Sequence, residues 1–111
     1  MKLTDLDIIF TEPPAPGWGG RYWILTKLTA SNGIIGWGEC YASSVGPKAM
    51  EAVIRDVFER YFLNANPENI EKLFRRVYSS GFTQRPDLTV MGAFSGLEIA
   101  CWDIVGKHRE R

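Results

Sequence analysis

AFSGLEIACWDIVGK, residues 93–107, is the stretch that decides the fold. Its apolar side chains fall on nearly every side of a helix, whereas a surface helix carries a single apolar stripe. Such a helix has to be covered all round, and the 111-residue chain ends four residues after Lys107. We therefore expect this segment either to form the centre of a small domain or to lie against a partner outside this sequence.

The composition is that of a folded globular protein. Hydrophobic residues make up 45% of the chain and charged residues 23%, which is inconsistent with a disordered segment. Lys plus Arg and Asp plus Glu both number 13, so no basic surface is expected for nucleic acid or an acidic membrane. No apolar stretch is expected to span a membrane, and the N-terminus, with two aspartates among its apolar residues, is not a signal peptide.

The two cysteines lack the spacing of a metal site. Cys40 and Cys101 lie on different predicted elements, so we expect two buried thiols in a cytoplasmic protein and not a disulfide.

The first forty residues predict three antiparallel strands. The first, Lys2 to Thr11, is followed by EPPAPGWGG, where proline removes backbone donors and glycine weakens a strand. Tyr22 to Ala30 is rich in aromatic and β-branched residues and predicts the second strand. Ser31-Asn32-Gly33 predicts a tight turn because Asn and Gly tolerate a positive φ. Ile34 to Tyr41 then predicts the third strand.

After Tyr41 the spacing of apolar residues changes from two to about 3.6, which predicts helices. Pro47 suits the first position of a helix, with Ser43 or Ser44 as its cap. The apolar face of this helix continues to Phe62. The sequence therefore predicts one unbroken helix over this region.

Two further helices complete the predicted fold. One begins at Asn66-Pro67 and ends at Gly81, and the last runs roughly from Leu88 to His108. Strands first and helices afterwards are typical of an α+β domain. The prediction is one domain over residues 1–111: a three-stranded antiparallel meander followed by a bundle of about three helices.

Chemically active groups are few, and the sequence predicts neither a catalytic residue nor a metal ligand in this chain. The glycines at residues 17–20 lead into a strand and not a helix, so they do not form a phosphate loop. His108 is the only histidine, so no serine triad can be assembled. Glu98 and Asp103 are five residues apart, about 140° around a helix, and are expected to make buried structural hydrogen bonds.

The aromatic and small residues are interpreted as packing groups. Core positions are expected for five aromatic side chains: Trp37, Phe58, Phe62, Phe74 and Trp102. The pairs Gly92-Ala93 and Ser95-Gly96 allow another element to approach the last helix closely. Whether that element is the chain's own sheet or a separate barrel is left open by the sequence.

Three segments in order carry a family resemblance. They are a hairpin ending Gly36-Trp37-Gly38-Glu39, the helix NPENIEKLFRRVYSSG, and the helix AFSGLEIACWDIVGK. Together they resemble the N-terminal domain of the mandelate racemase and muconate lactonising enzymes of the enolase superfamily. The likeness extends from about Trp23 to Lys107.

The resemblance implies a capping domain over a (β/α)7β barrel. In that family the barrel supplies the base and the carboxylate ligands of Mg²⁺, which stabilises the enediolate formed by removing a proton next to a carboxylate. The cap supplies two loops that close on the substrate, here Pro13 to Tyr22 and Tyr41 to Pro47. Trp18, Arg21 and Tyr41 are the candidate substrate contacts. A polar, Arg-bearing loop favours an acid-sugar dehydratase over a racemase or cycloisomerase.

The departure from the family pattern is the barrel, which needs roughly 200 residues or more. We expect residues 1–111 to be the capping domain alone and not to turn over substrate, so whether the chain is an enzyme is left undecided. It would bind no cofactor itself, although the complete enzyme would need Mg²⁺. The expected partners are the barrel and a small carboxylate substrate. A free-standing, self-associating interaction module that reuses the cap fold is the alternative.

Overall fold

The computed structural model describes residues 1–12, 22–41, 45–80 and 87–110. Within them, strands β1 (Leu3–Thr11), β2 (Trp23–Ala30) and β3 (Ile35–Cys40) precede helices α1 (Pro47–Val57), α2 (Ile70–Ser80) and α3 (Leu88–Arg109). The predicted α+β order of strands followed by helices is confirmed.

The strands form the predicted antiparallel meander in the order β1-β2-β3. Gly33 in the turn between β2 and β3 has a φ of 86°, and its N–H donates to the Ala30 carbonyl over 2.9 Å. The Asn32 side chain accepts a hydrogen bond from the Ile34 N–H at 3.2 Å. The turn therefore uses Asn and Gly as the sequence predicted.

Helix α1 begins at Pro47, as predicted, but its cap is Gly46 and not Ser43 or Ser44. The residue before a proline is pushed towards extended backbone, and Gly46 has φ −78° and ψ 174°. Both serines lie outside the described residues.

The α-helix also ends earlier than the apolar pattern predicted. Residues Phe58–Phe62 form a wider π-helical turn, in which the Leu63 N–H donates to the Phe58 carbonyl over 2.8 Å. Asn64 then takes a φ of 67°, and its N–H donates to the Leu3 carbonyl at the start of β1. The chain leaves the helix here to pair with the sheet edge.

The second helix begins at Ile70, later than the predicted start at Asn66-Pro67. The Asn66 side chain accepts a hydrogen bond from the Glu68 N–H at 2.9 Å, and the Asn66 carbonyl accepts one from the Asn69 N–H at 3.0 Å. Asn side chains offer the backbone this local alternative to a helix. A turn therefore precedes α2.

Helix α3 starts at Leu88, as predicted, and continues one residue past His108. The Asp87 carboxylate caps it by accepting hydrogen bonds from the Thr89 and Val90 N–H groups. The capping side chain satisfies backbone donors that have no partner within the helix.

Glycines bring α3 into direct contact with the inner face of the sheet. A β-carbon on Gly36 would overlap the Ala100 carbonyl, and one on Gly38 would overlap the Gly96 carbonyl. The buried Thr26 hydroxyl donates to that same Gly96 carbonyl at 3.1 Å. Gly96 and Ala100 of α3 thus pack on the chain's own sheet, which favours that alternative for this side of the helix, whereas Ser95 is exposed.

The end of α3 is fastened to the exposed edge of β3. The Trp37 N–H donates to the Asp103 carboxylate at 2.9 Å. The Lys107 ammonium donates to the same carboxylate at 3.0 Å and to the Ile35 carbonyl at 2.8 Å. One ion pair on the helix therefore satisfies two backbone groups of the edge strand.

The opposite side of α3 is uncovered, which argues against the first alternative, a helix buried all round within this domain, and agrees with the second, a helix that lies against a partner. Trp102 is 58% exposed and Ile99 is 47% exposed, and Phe74 on α2 is 39% exposed. Trp37 is also exposed, since strand alternation turns it outward when Gly36 and Gly38 face α3. The core assignments of Trp37, Phe74 and Trp102 are wrong, whereas Phe58 and Phe62 are buried as expected.

By length and composition, α3 is apolar enough to cross a membrane, so the expectation that no stretch could do so is wrong. The core helix of a folded domain meets the same criterion. Nine residues of α3 are buried within the domain. That burial favours the reading of α3 as a core helix.

Candidate functional site

The ends of the two predicted substrate loops meet at one end of the sheet. Thr11 pairs with Trp23 across β1 and β2, and Ile24 pairs with Cys40 across β2 and β3. Glu12, Tyr22 and Tyr41, the residues flanking these pairs, therefore lie near one another. This end of the sheet is the candidate site.

Of the three predicted substrate contacts, the structure describes Tyr41. Its side chain is 70% exposed, while its backbone carbonyl packs against Gly92 of α3. A fixed backbone with a free side chain suits a residue that contacts a ligand. Trp18 and Arg21 lie outside the described residues, so their roles stay predictions.

A hydrogen bond joins the two loop ends. The Tyr22 hydroxyl donates to the Val45 carbonyl over 2.8 Å, across 23 positions of sequence. Both side chains are partly buried against the core. The sequence places Tyr22 at the end of the first loop but does not predict this contact, since no local pattern identifies a partner so far along the chain.

Trp23 is a second residue at this end that sequence reasoning did not single out. It stands at the start of β2 and is 45% exposed on the outer face of the sheet. Strand alternation was the available signal: Ile24 faces inward, so its neighbour Trp23 faces outward. A half-exposed tryptophan offers apolar surface and a ring N–H donor at this end of the sheet.

The two acids of α3 occupy different surroundings. Asp103 makes structural hydrogen bonds, as expected, but it is only half-buried. Burial alone would raise the pKa of this carboxyl, but the Trp37 N–H and the Lys107 ammonium outweigh it and lower that pKa. Glu98 lines an open groove of about 370 Å³ between α2 and α3, together with these residues: Glu68, Ile70, Glu71, Phe74 and Trp102.

Neither thiol is a nucleophile. Cys40 and Cys101 are free and buried, as the sequence predicted. Burial raises the pKa of each to about 12, so almost none of either is thiolate at neutral pH. Among the residues that the structure describes, no group of three or more His, Cys, Asp or Glu side chains could hold a metal ion.

Residues 19–111 match the mandelate racemase/muconate lactonizing enzyme N-terminal domain. The chain is 37% identical over 100 residues to the D-gluconate/D-galactonate dehydratase of Picrophilus torridus, covering 86% of this chain and 25% of that protein. It is 31% identical over 88 residues to the D-galactarolactone cycloisomerase of Agrobacterium fabrum, covering 79% and 22%. The chain spans about a quarter of the length of these curated relatives.

Solved structures share the fold over nearly the whole chain. A mandelate racemase/muconate lactonizing enzyme-like protein from Roseovarius sp. TM1035 is 77% identical, with a TM-score of 0.94, over 98% of this chain and 28% of that one. A mandelate racemase/muconate lactonizing enzyme from Sulfitobacter sp. is 76% identical with the same TM-score and coverage. The chain therefore belongs to the mandelate racemase/muconate lactonizing enzyme family of the enolase superfamily, and it has the fold of that family's N-terminal domain.

Proposed function

We propose that this chain is the substrate-capping domain of a Mg²⁺-dependent acid-sugar dehydratase. The exposed side of α3 is the observation that carries the proposal. We call Ile99, Trp102 and the adjoining Phe74 the outer α3 face; all three are substantially exposed, and Phe74 and Trp102 line the same groove. Apolar surface of this kind marks an interaction site, and a catalytic barrel is the partner that the family supplies.

The proposal divides the chemical roles between the barrel and this chain as the family resemblance implies. The barrel would hold the Mg²⁺ ion, which stabilises the enediolate, and the base that removes the proton next to the carboxylate. This chain would bind the far end of the substrate and exclude water. Tyr41 supports that role by its exposure and position, and Arg21 and Trp18 are proposed contacts from the neighbouring segment.

Polyhydroxy acids are the proposed substrates. The relatives include dehydratases of D-gluconate and D-galactonate and a D-galactarolactone cycloisomerase. An arginine and a tyrosine at the loop end suit the hydroxyl and carboxylate groups of such acids. The proposal includes a cytoplasmic location, which the two free buried thiols support.

A domain replacement tests the proposal. Residues 1–111 would replace the matching segment of the Roseovarius protein, and Mg²⁺-dependent loss of water would be followed on a panel of sugar acids. This hybrid enzyme should dehydrate the same acid as its host, the intact Roseovarius protein. A folded but inactive hybrid beside an active host would contradict the cap assignment. A host inactive on every sugar acid would contradict the substrate class.

The outer α3 face also supports a second candidate, a free-standing module in which a second copy covers that face. This account predicts a dimer of the 111-residue chain that Trp102→Ser disrupts. Sedimentation equilibrium over a range of concentrations measures the association. A wild-type chain that stays monomeric throughout would rule out this candidate.

A further inference from the structure

We propose that Tyr22 is a positioning residue, whose hydrogen bond to Val45 sets the affinity of the substrate site; this inference rests on the proposed function. The bond joins the end of the segment over residues 13–21 to the end of the segment over residues 42–44. Its donor is the Tyr22 hydroxyl and its acceptor the Val45 carbonyl, 2.8 Å apart. Neither residue needs to touch the substrate to act in this way.

The acceptor is available because of its place before α1. The first hydrogen bond of the helix runs from the Met50 N–H to the carbonyl of Gly46, the residue after Val45. The Val45 carbonyl therefore precedes the helix ladder. A partly buried carbonyl needs a partner, and the Tyr22 phenol supplies it.

The bond holds Val45, which follows Tyr41 by four positions in the chain. Tyr41 is held separately, because its carbonyl packs against Gly92 of α3. With both residues held, the positions open to the Tyr41 side chain are limited. The Tyr22 ring and the Val45 side chain both pack against the hydrophobic core, which makes the anchor rigid.

A kinetic consequence follows. The proposed cap residues contact the far end of the substrate and not the reacting atoms, so loosening them weakens ground-state and transition-state binding alike. Uniform loss of binding raises KM and leaves kcat unchanged. A typical intramolecular hydrogen bond corresponds to about a fivefold effect.

Tyr22→Phe removes the hydroxyl and keeps the ring. Tyr61→Phe is the matched control, since the Tyr61 ring packs against Arg76 in the turn Phe58–Phe62, which leads to Leu3 at the start of β1 and not to Thr11 at its end. The measured quantity is the hydrogen-exchange rate of the Met50 amide divided by the rates of the Leu28 and Ile104 amides in the 111-residue chain. Tyr22→Phe should raise this ratio about fivefold over wild type. Tyr61→Phe should leave the ratio unchanged. Equal exchange in Tyr22→Phe and wild type would overturn the proposal.

The domain-replaced enzyme supplies the functional measurement. Tyr22→Phe should raise KM about fivefold with kcat unchanged, and Tyr61→Phe should change neither. A loss of kcat at constant KM, or no change in either, would overturn the positioning role. A third outcome is an inactive hybrid enzyme together with faster exchange at Met50 in Tyr22→Phe. The Tyr22–Val45 hydrogen bond would then be a structural contact only. Both the proposed function and the role of Tyr22 in substrate affinity would be contradicted.

Discussion

Gly96 is the position at which the close packing of α3 on the sheet can be tested most directly. A β-carbon at residue 96 would overlap the Cys40 sulfur and lie 3.0 Å from the Cys40 nitrogen and 3.1 Å from its Cα. Ordinary contacts of this kind are longer, so the helix and β3 would have to separate. Gly96→Ala is therefore an overpacking substitution in a buried interface.

The expected change in the free energy of unfolding on Gly96→Ala combines two opposing contributions. Overpacking a well-packed core costs about 1–3 kcal/mol, and the upper end applies because the backbone as well as the thiol is approached. Alanine in a helix gains about 1 kcal/mol over glycine. Gly96→Ala should therefore lower the free energy of unfolding by about 2 kcal/mol.

Gly106 is the matched control in the same helix, since a β-carbon there would meet no side chain and no other element of the described structure within 4 Å. Gly106→Ala should raise the free energy of unfolding by up to about 1 kcal/mol. Urea denaturation followed by circular dichroism measures both variants. Equal effects at the two positions would refute the packing argument.

A double-mutant cycle identifies the atom responsible. Cys40→Ala removes the sulfur that a β-carbon at residue 96 would overlap, so the cost of Gly96→Ala should fall by about 1–2 kcal/mol in that background. The backbone contacts at 3.0 Å and 3.1 Å remain, which makes the rescue partial. Strict additivity of the two substitutions would mean that the thiol is not the obstacle.

Three further predictions concern side chains whose burial or charge the structure fixes. Trp102→Ala should lower the free energy of unfolding by less than about 1 kcal/mol because Trp102 is 58% exposed. Phe94→Ala should lower it by about 3–5 kcal/mol because Phe94 is 2% exposed. Equal losses for the two variants in urea denaturation would mean that Trp102 is buried after all. Asp103→Asn should cost about 1 kcal/mol at pH 7, with the exposed Asp56→Asn as control. The pKa of Asp103 is lowered by folding, so its stabilisation is present above the unfolded pKa near 3.8 and disappears as pH falls through the folded value. A stability gap between wild type and Asp103→Asn that persists at pH 2 would contradict this assignment. Cys40 and Cys101 should both resist a thiol reagent at pH 8 until the chain unfolds, because burial raises the pKa of each to about 12. Rapid labelling of either thiol in native buffer would show that its burial is transient.

Local rules account for what the sequence predicted well. The Asn-Gly turn, the start of α1 at Pro47 and the start of α3 at Leu88 depend on residues within a few positions of one another. The order of strands and helices follows from the change in apolar spacing after Tyr41. These features needed no knowledge of which element packs on which.

Packing between distant elements accounts for what the sequence did not predict. Trp102 is exposed because α3 turns its glycine-bearing side to the sheet, and an apolar helix gives no sign of which side that is. The Tyr22–Val45 hydrogen bond spans 23 positions and has no local signature. The candidate site was therefore predicted as two loops, without the contact that joins their ends.

Both edges of the sheet are closed to strand addition at particular points. At β3, the Asp103–Lys107 pair occupies the Trp37 N–H and the Ile35 carbonyl. At β1, residues 64 and 65 bond to both backbone groups of Leu3. Unpaired strand edges are templates for aggregation, and these contacts remove several such groups. Where these groups are occupied, another strand cannot pair with the sheet, so a partner that meets the domain at those points would contact side chains instead.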